Sequence, residues 1–138
     1  MSISLKKLET LFTKLAKYGK NNEGGLTRLS YSPEFQSAQA MLAEFMTSIG
    51  MTVTLDAIGN LIGTYPGRDN SLAPVCCGSH LDSVPNGGSF DGALGIVTAL
   101  ECVRSWHADN WQPLRPVKVI AFVEEEGSRF GSVCFGSR

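Results

Sequence analysis

Two short apolar runs, residues 74–78 and 117–123, constrain this chain more than anything else in it, because each ends abruptly in polar chemistry. The first runs into Gly78-Ser79-His80-Leu81-Asp82 and the second into Glu124-Glu125-Glu126-Gly127. Short runs of this kind are strands inside a sheet, and residues 74–78 read as a central strand covered on both faces. A carboxylate at the end of a buried strand is costly unless a positive charge sits among its neighbours. A pair of divalent metal ions is the economical explanation.

The rest of the chain frames those strands. Leu5, Leu8, Leu11, Phe12 and Leu15 recur at helical spacing, with Gly19 as a stop. Residues 20–31 read as a loop. Ser32-Pro33 then supplies an N-cap followed by proline at the first helical position. The apolar face Phe35, Ala38, Leu42, Phe45, Met46 and Ile49 continues to Gly50. From there the period changes: residues 52–56 and 60–65 read as two strands of a hairpin turning at Ala57-Ile58-Gly59. A glycine-rich loop covers residues 79–91. Ala93, Ile96, Val97, Leu100 and Val103 mark a helix over residues 92–106 that packs back on the sheet. Strand, loop, helix, strand is an α/β layout, in which ligands gather beyond the carboxyl ends of the strands. His80 and the glutamates can therefore meet at one edge.

With 138 residues the chain is one domain, and its 43% apolar and 18% charged composition is that of a globular protein. A net charge of -1, from 12 basic and 13 acidic residues, gives no general electrostatic reason to bind nucleic acid or an anionic membrane. The apolar runs are far short of a bilayer span, and Lys6 and Lys7 lie within an amphipathic pattern rather than a signal peptide. The expected location is the cytoplasm. Cys76, Cys77, Cys102 and Cys134 form no C-x-x-C pair, and they read as small buried hydrophobes in a reducing compartment. His107 reads as a polar loop residue.

The chemistry concentrates on a few groups. His80 is a neutral imidazole donor of the kind that first-row metals take, and Asp82 could accept a hydrogen bond from its other ring nitrogen. Asp91 follows Gly87-Gly88, which let the backbone fold back toward the strand end. A carboxylate there can bridge two cations roughly 3.5–4 Å apart. One glutamate can ligate while its neighbour takes a proton from a metal-bound water. A phosphate-binding nest at residues 87–95 is the weaker reading, since Asp91 would repel the anion and the pattern fits no P-loop or dinucleotide fingerprint.

Five segments carry a family resemblance: Gly-Gly-Leu-Thr-Arg-Leu (24–29), Asp-Ala-Ile-Gly-Asn-Leu (56–61), Gly-Ser-His-Leu-Asp-Ser-Val (78–84), Asn-Gly-Gly-Ser-Phe-Asp-Gly (86–92) and Glu-Glu-Glu-Gly-Ser-Arg-Phe (124–130). Together, and in this order, they resemble the M20 metallopeptidase superfamily. Within it they are similar to the amidohydrolase branch of allantoate amidohydrolases, N-carbamoyl-L-amino-acid hydrolases and β-ureidopropionases, of the hydantoinase/carbamoylase type. The resemblance implies that residues 1–138 are the N-terminal portion of a Zn-peptidase-like catalytic domain, a truncated α/β unit with a mixed sheet flanked by helices. It implies two divalent metal ions, zinc or manganese, with His80 binding one, Glu126 the other and Asp91 bridging both. Glu125 would be the general base and Asp82 the partner of His80. The implied reaction is hydrolysis of a linear ureido or carbamoyl C–N bond in a small molecule by a metal-bound hydroxide.

The family's other two histidine ligands, and the inserted domain through which its members form homodimers, fall beyond residue 138. The chain alone is therefore expected to bind metal weakly, to turn over no substrate and to expose an apolar sheet face and edge. Two alternatives remain. One is a catalytically dead remnant or interaction domain that keeps the fold. The other is an aminoacylase or dipeptidase of the same superfamily, against which Gly127-Ser128-Arg129-Phe130 speaks.

Overall fold

The structure, a computed structural model, describes residues 2–138. Its elements, in chain order, are α1 (Leu5–Leu15), α2 (Pro33–Ser48), β1 (Thr52–Leu55), β2 (Leu61–Tyr65), β3 (Val75–His80), α3 (Ala93–Ala108), β4 (Val117–Phe122) and a closing 3-10 turn, Phe135–Ser137. Helix α2 starts as its sequence dictates: the Ser32 hydroxyl accepts from the Phe35 N–H at 3.2 Å, and Pro33 takes the first turn. α3 runs two residues further than the apolar pattern indicates. His107 consequently lies in its last turn, not in a loop, where an imidazole suits the negative end of the helix dipole.

The four strands form one mixed sheet in the order β1-β2-β4-β3. β1 and β2 are the expected antiparallel hairpin, and β4 pairs antiparallel with β2 and parallel with β3. A parallel pair needs a crossover, and α3 supplies it. Gly63 of β2, Val119 of β4 and Cys77 of β3 are register partners and share one face. The helices cover that face. Met46 of α2 lies over Gly63, where an added Cβ would sit 2.7 Å from its sulfur, and Gly95 of α3 lies over Ser79. Leu11, Leu15, Phe35, Leu42, Met46, Leu61, Ile96, Leu100, Val119 and Ala121 belong to one core.

Two expectations fail at β3. It is the edge strand rather than a central one, and Val75, Cys76, Cys77 and Gly78 are exposed. β4 takes the central place, and its inward side chains Val117, Val119 and Ala121 are buried. An apolar run reports what a strand can bury, not what the chain provides to cover it. For the same reason Cys76 and Cys77 are not buried, and Cys102 and Cys134 are only half-buried; all four are free thiols. The exposed apolar edge expected of the sheet is present, and it is β3 itself.

Candidate metal centre

His80 is the last residue of β3 and pairs in register with Phe122, the last residue of β4. The Leu81 N–H extends the ladder by one bond to the Phe122 carbonyl at 2.9 Å. The parallel register thus delivers His80 and the glutamates to the same level of the sheet. Buried Arg28 fixes the segment behind His80: its Nε donates to the Leu81 carbonyl at 2.7 Å, and its Nη1 donates to the carbonyls of Leu15 and Tyr18 at the end of α1. Burial pulls the Arg28 guanidinium down to about 10, against the charge of Asp82, which raises it.

The imidazole of His80 is held by one hydrogen bond and aimed by it. Its Nδ1–H donates to the backbone carbonyl of Asp82 at 2.9 Å, which leaves the Nε2 lone pair free. The expected partner was the Asp82 carboxylate, but that group stands 3.9 Å from Nδ1. It is engaged elsewhere, accepting the N–H of Glu125 at 3.1 Å and of Glu126 at 3.2 Å. Two backbone donors suit a carboxylate buried to 2% exposure, which must be satisfied from within the protein. Asp82 therefore joins the two strand ends: its carbonyl orients His80 and its carboxylate holds the glutamate turn.

Asp91 reaches the imidazole from the loop before α3, with Oδ1 at 3.5 Å from Nε2 and its side chain largely exposed. Gly92 makes that approach possible. Its φ is +65°, and an added Cβ would lie 2.7 Å from His80 Nδ1, so a side chain at this position has neither the conformation nor the room. His80, Asp91 and Glu126 each present one ligand atom, and these atoms lie within 4.8 Å of one another. Burial raises the Glu126 carboxyl above its usual range, and the negative charges of Asp91, Glu125 and Asp82 add to the rise; only His80 opposes them. An imidazole nitrogen with carboxylate oxygens, in a site short of positive charge, fits a divalent cation and does not choose between zinc and manganese. Glu125, half-buried, sits outside this group, and its Oε1 lies 3.7 Å from the Cys134 thiol, which donates to it.

Three residues of this region carry structural work that the sequence did not single out. Arg28 is one. Asn60, at 3% exposure, is another: its amide donates to Asp56 and to the Gly136 carbonyl, and its Oδ1 accepts the Val123 N–H at 2.9 Å. The third is Glu124, fully buried with a positive φ of 54°. The available signal for Arg28 and Asn60 was their place within the motifs at 24–29 and 56–61. Nothing in the strand alternation signals Glu124, because its left-handed backbone breaks the alternation at that point.

Fold and site together define a class: an α/β domain with a candidate divalent-metal centre at the carboxyl ends of two parallel strands. The family model for peptidase family M28 matches residues 60–138, more than half of the chain, and the chain belongs to that family. It is 42% identical over 138 residues to the N-carbamoyl-L-amino-acid amidohydrolase of Pseudomonas sp. (strain NS671), covering 100% of this chain and 33% of that protein. Over 130 residues it is 40% identical to the allantoate amidohydrolase of Escherichia coli (strain K12), covering 90% of this chain and 30% of that protein. It superposes on the crystal structure of a hydantoinase/carbamoylase family amidase from Burkholderia ambifaria with a TM-score of 0.95 and 34% identity, covering 97% of this chain and 33% of that one. These are the amidohydrolases that the sequence motifs resemble, while the family model that matches carries the M28 rather than the M20 description. The chain spans about a third of the length of the curated relatives it matches.

Proposed function

We propose that residues 1–138 form the N-terminal part of the catalytic domain of a metal-dependent amidohydrolase. Its reaction is the hydrolysis of a linear ureido or carbamoyl C–N bond, in a small molecule such as an N-carbamoyl-L-amino acid or allantoate. The observation that carries this reading is the meeting of His80, Asp91 and Glu126 within 4.8 Å, in a chain whose relatives are named for that chemistry. His80 would hold one ion and Glu126 the other, with Asp91 shared between them. The ions are zinc or manganese. When bound, they supply Lewis-acid polarisation of the carbamoyl carbonyl and acidify water to a pKa of about 7.

The chain's own residues do the rest. The Glu125 carboxylate takes a proton from the attacking water as its oxygen bonds to the carbamoyl carbon, and returns it to the nitrogen that leaves when the C–N bond breaks. Asp82 keeps His80 in the Nδ1–H tautomer through its carbonyl and holds the Glu125–Glu126 backbone through its carboxylate. The working enzyme acts in the cytoplasm as a homodimer assembled through a further domain. Among the described residues, no helix is long and apolar enough to cross a membrane.

The decisive experiment is Glu125→Gln in the enzyme, assayed on N-carbamoyl-L-amino acids and allantoate. Turnover should fall by at least about a thousandfold, with metal content unchanged by elemental analysis. Loss of metal together with turnover would reassign the base.

A further inference from the structure

Of the three consecutive glutamates, Glu124 has no part in the proposed chemistry, yet it is the most deeply buried, at 0% exposure. Two local costs meet in it. Its carboxylate lies away from water, and its backbone takes the left-handed region, with φ at +54°, which L residues adopt unwillingly. Costs of this kind persist where the surroundings over-determine the conformation. Here they do: Glu124 Oε1 accepts the N–H of Arg129 at 3.2 Å and of Phe130 at 2.9 Å, and the Glu124 carbonyl accepts the N–H of Phe135 at 2.9 Å.

The effect on the neighbouring residues is specific. The turn that carries Glu125 and Glu126 is gripped at two places by buried carboxylates that are not members of the His80, Asp91 and Glu126 group. Asp82 holds the N–H groups of Glu125 and Glu126, and Glu124 holds those of Arg129 and Phe130, where the turn closes. Four backbone N–H groups donate to these two buried carboxyl groups, and together they set this one turn. We propose that Glu124 is a positioning residue: it fixes the Glu125–Glu126 turn against Asp82, so that both functional carboxylates are set in place before any ion or substrate arrives. This inference rests on the roles proposed above for Glu125 and Glu126.

The test is amide hydrogen exchange on the chain carrying Glu124→Gln or Glu124→Asp, with a parallel titration by Zn2+ alone. Glutamine presents an acceptor at the same reach, and protection at Arg129 and Phe130 should stay within roughly threefold of the unaltered chain. Aspartate keeps the carboxyl group but draws the oxygens back by about 1.5 Å. Exchange at Glu125, Glu126, Arg129 and Phe130 should then rise by roughly tenfold or more, with β2 and β4 as protected as before. Zn2+ binding should weaken by a similar factor. Unchanged exchange across residues 125–130 in the aspartate variant would overturn the proposal. So would an equal loss of protection throughout β2 and β4, which marks a packing role, or a glutamine variant as loose as the aspartate one. If the unaltered chain takes up too little Zn2+ to titrate, the exchange pattern alone decides the role of Glu124, and the functional reading is tested separately by Glu125→Gln in the enzyme.

Discussion

Glu126 and Asp82 sit a few ångströms apart and have opposite electrostatic lives. Asp82 has two backbone N–H donors, whereas Glu126 faces the negative charges of Asp91, Glu125 and Asp82 with His80 alone against them. The raised Glu126 carboxyl fixes a pH dependence. A carboxyl raised in the folded state binds more protons there than in the unfolded chain. Its penalty is absent below the ordinary carboxylate pKa of about 4.5 and complete once the pH has passed the raised folded value. The metal-free chain should therefore lose stability as the pH rises through that window, and Zn2+ should reduce the loss. Thermal unfolding followed from acid to neutral pH, with chelator and with Zn2+, checks both. At this scale the sequence was informative about residue types and silent about directions. His80, Asp91 and Glu126 could be picked out as donors and do come together. That Asp82 meets His80 through its carbonyl, while its carboxylate accepts the Glu125 and Glu126 N–H groups, is a matter of direction that no residue pattern reveals.

At the level of elements, the helices and the hairpin follow from local chemistry, and the strand order does not. Ser32, Pro33 and the apolar face that ends at Gly50 dictate α2 without help from the rest of the chain. The place of β3 at the edge is a non-local outcome, decided by which strands exist to pair with it, so a run of apolar residues could not locate it. The end of β4 depends on a contact that spans 63 residues, the hydrogen bond from the Val123 N–H to Asn60 Oδ1. Asn60 also donates to the Gly136 carbonyl, so it ties the hairpin, the glutamate turn and the closing 3-10 turn together. Asn60→Ala would leave the Val123 N–H and the Gly136 carbonyl buried without partners, at a cost of about 2–4 kcal/mol. Urea unfolding should show a lower midpoint with an unchanged slope, and amides near Glu124 should lose protection first.

For the molecule as a whole, the candidate centre has one imidazole and no second histidine within reach, since His107 lies in the last turn of α3 against Tyr65. A pair of divalent ions held through so few ligands should bind weakly. We expect the chain by itself to bind Zn2+ or Mn2+ at best in the high micromolar range and to hydrolyse neither N-carbamoyl amino acids nor allantoate. Calorimetric titration and an ammonia-release assay test this, and a full pair of ions bound tightly with measurable turnover would refute it. The α/β class and the family were legible because five separated motifs fall in a fixed order, and order is a one-dimensional property that a sequence records completely. Which side chains remain exposed is a property of the assembled surface, so the apolar run of β3 does not reveal that Cys76 and Cys77 are exposed. The parallel pairing of β3 with β4 also has a consequence in time. The β1–β2 hairpin closes over a handful of residues, but His80 and Phe122 come into register only after α3 and its loops have been folded between them. Contacts so distant along the chain form slowly, because the entropy of closing the intervening loop is spent before pairing begins to compensate. Refolding followed by Zn2+ uptake should thus lag behind formation of the hairpin, and the centre will be among the last parts of the molecule to exist.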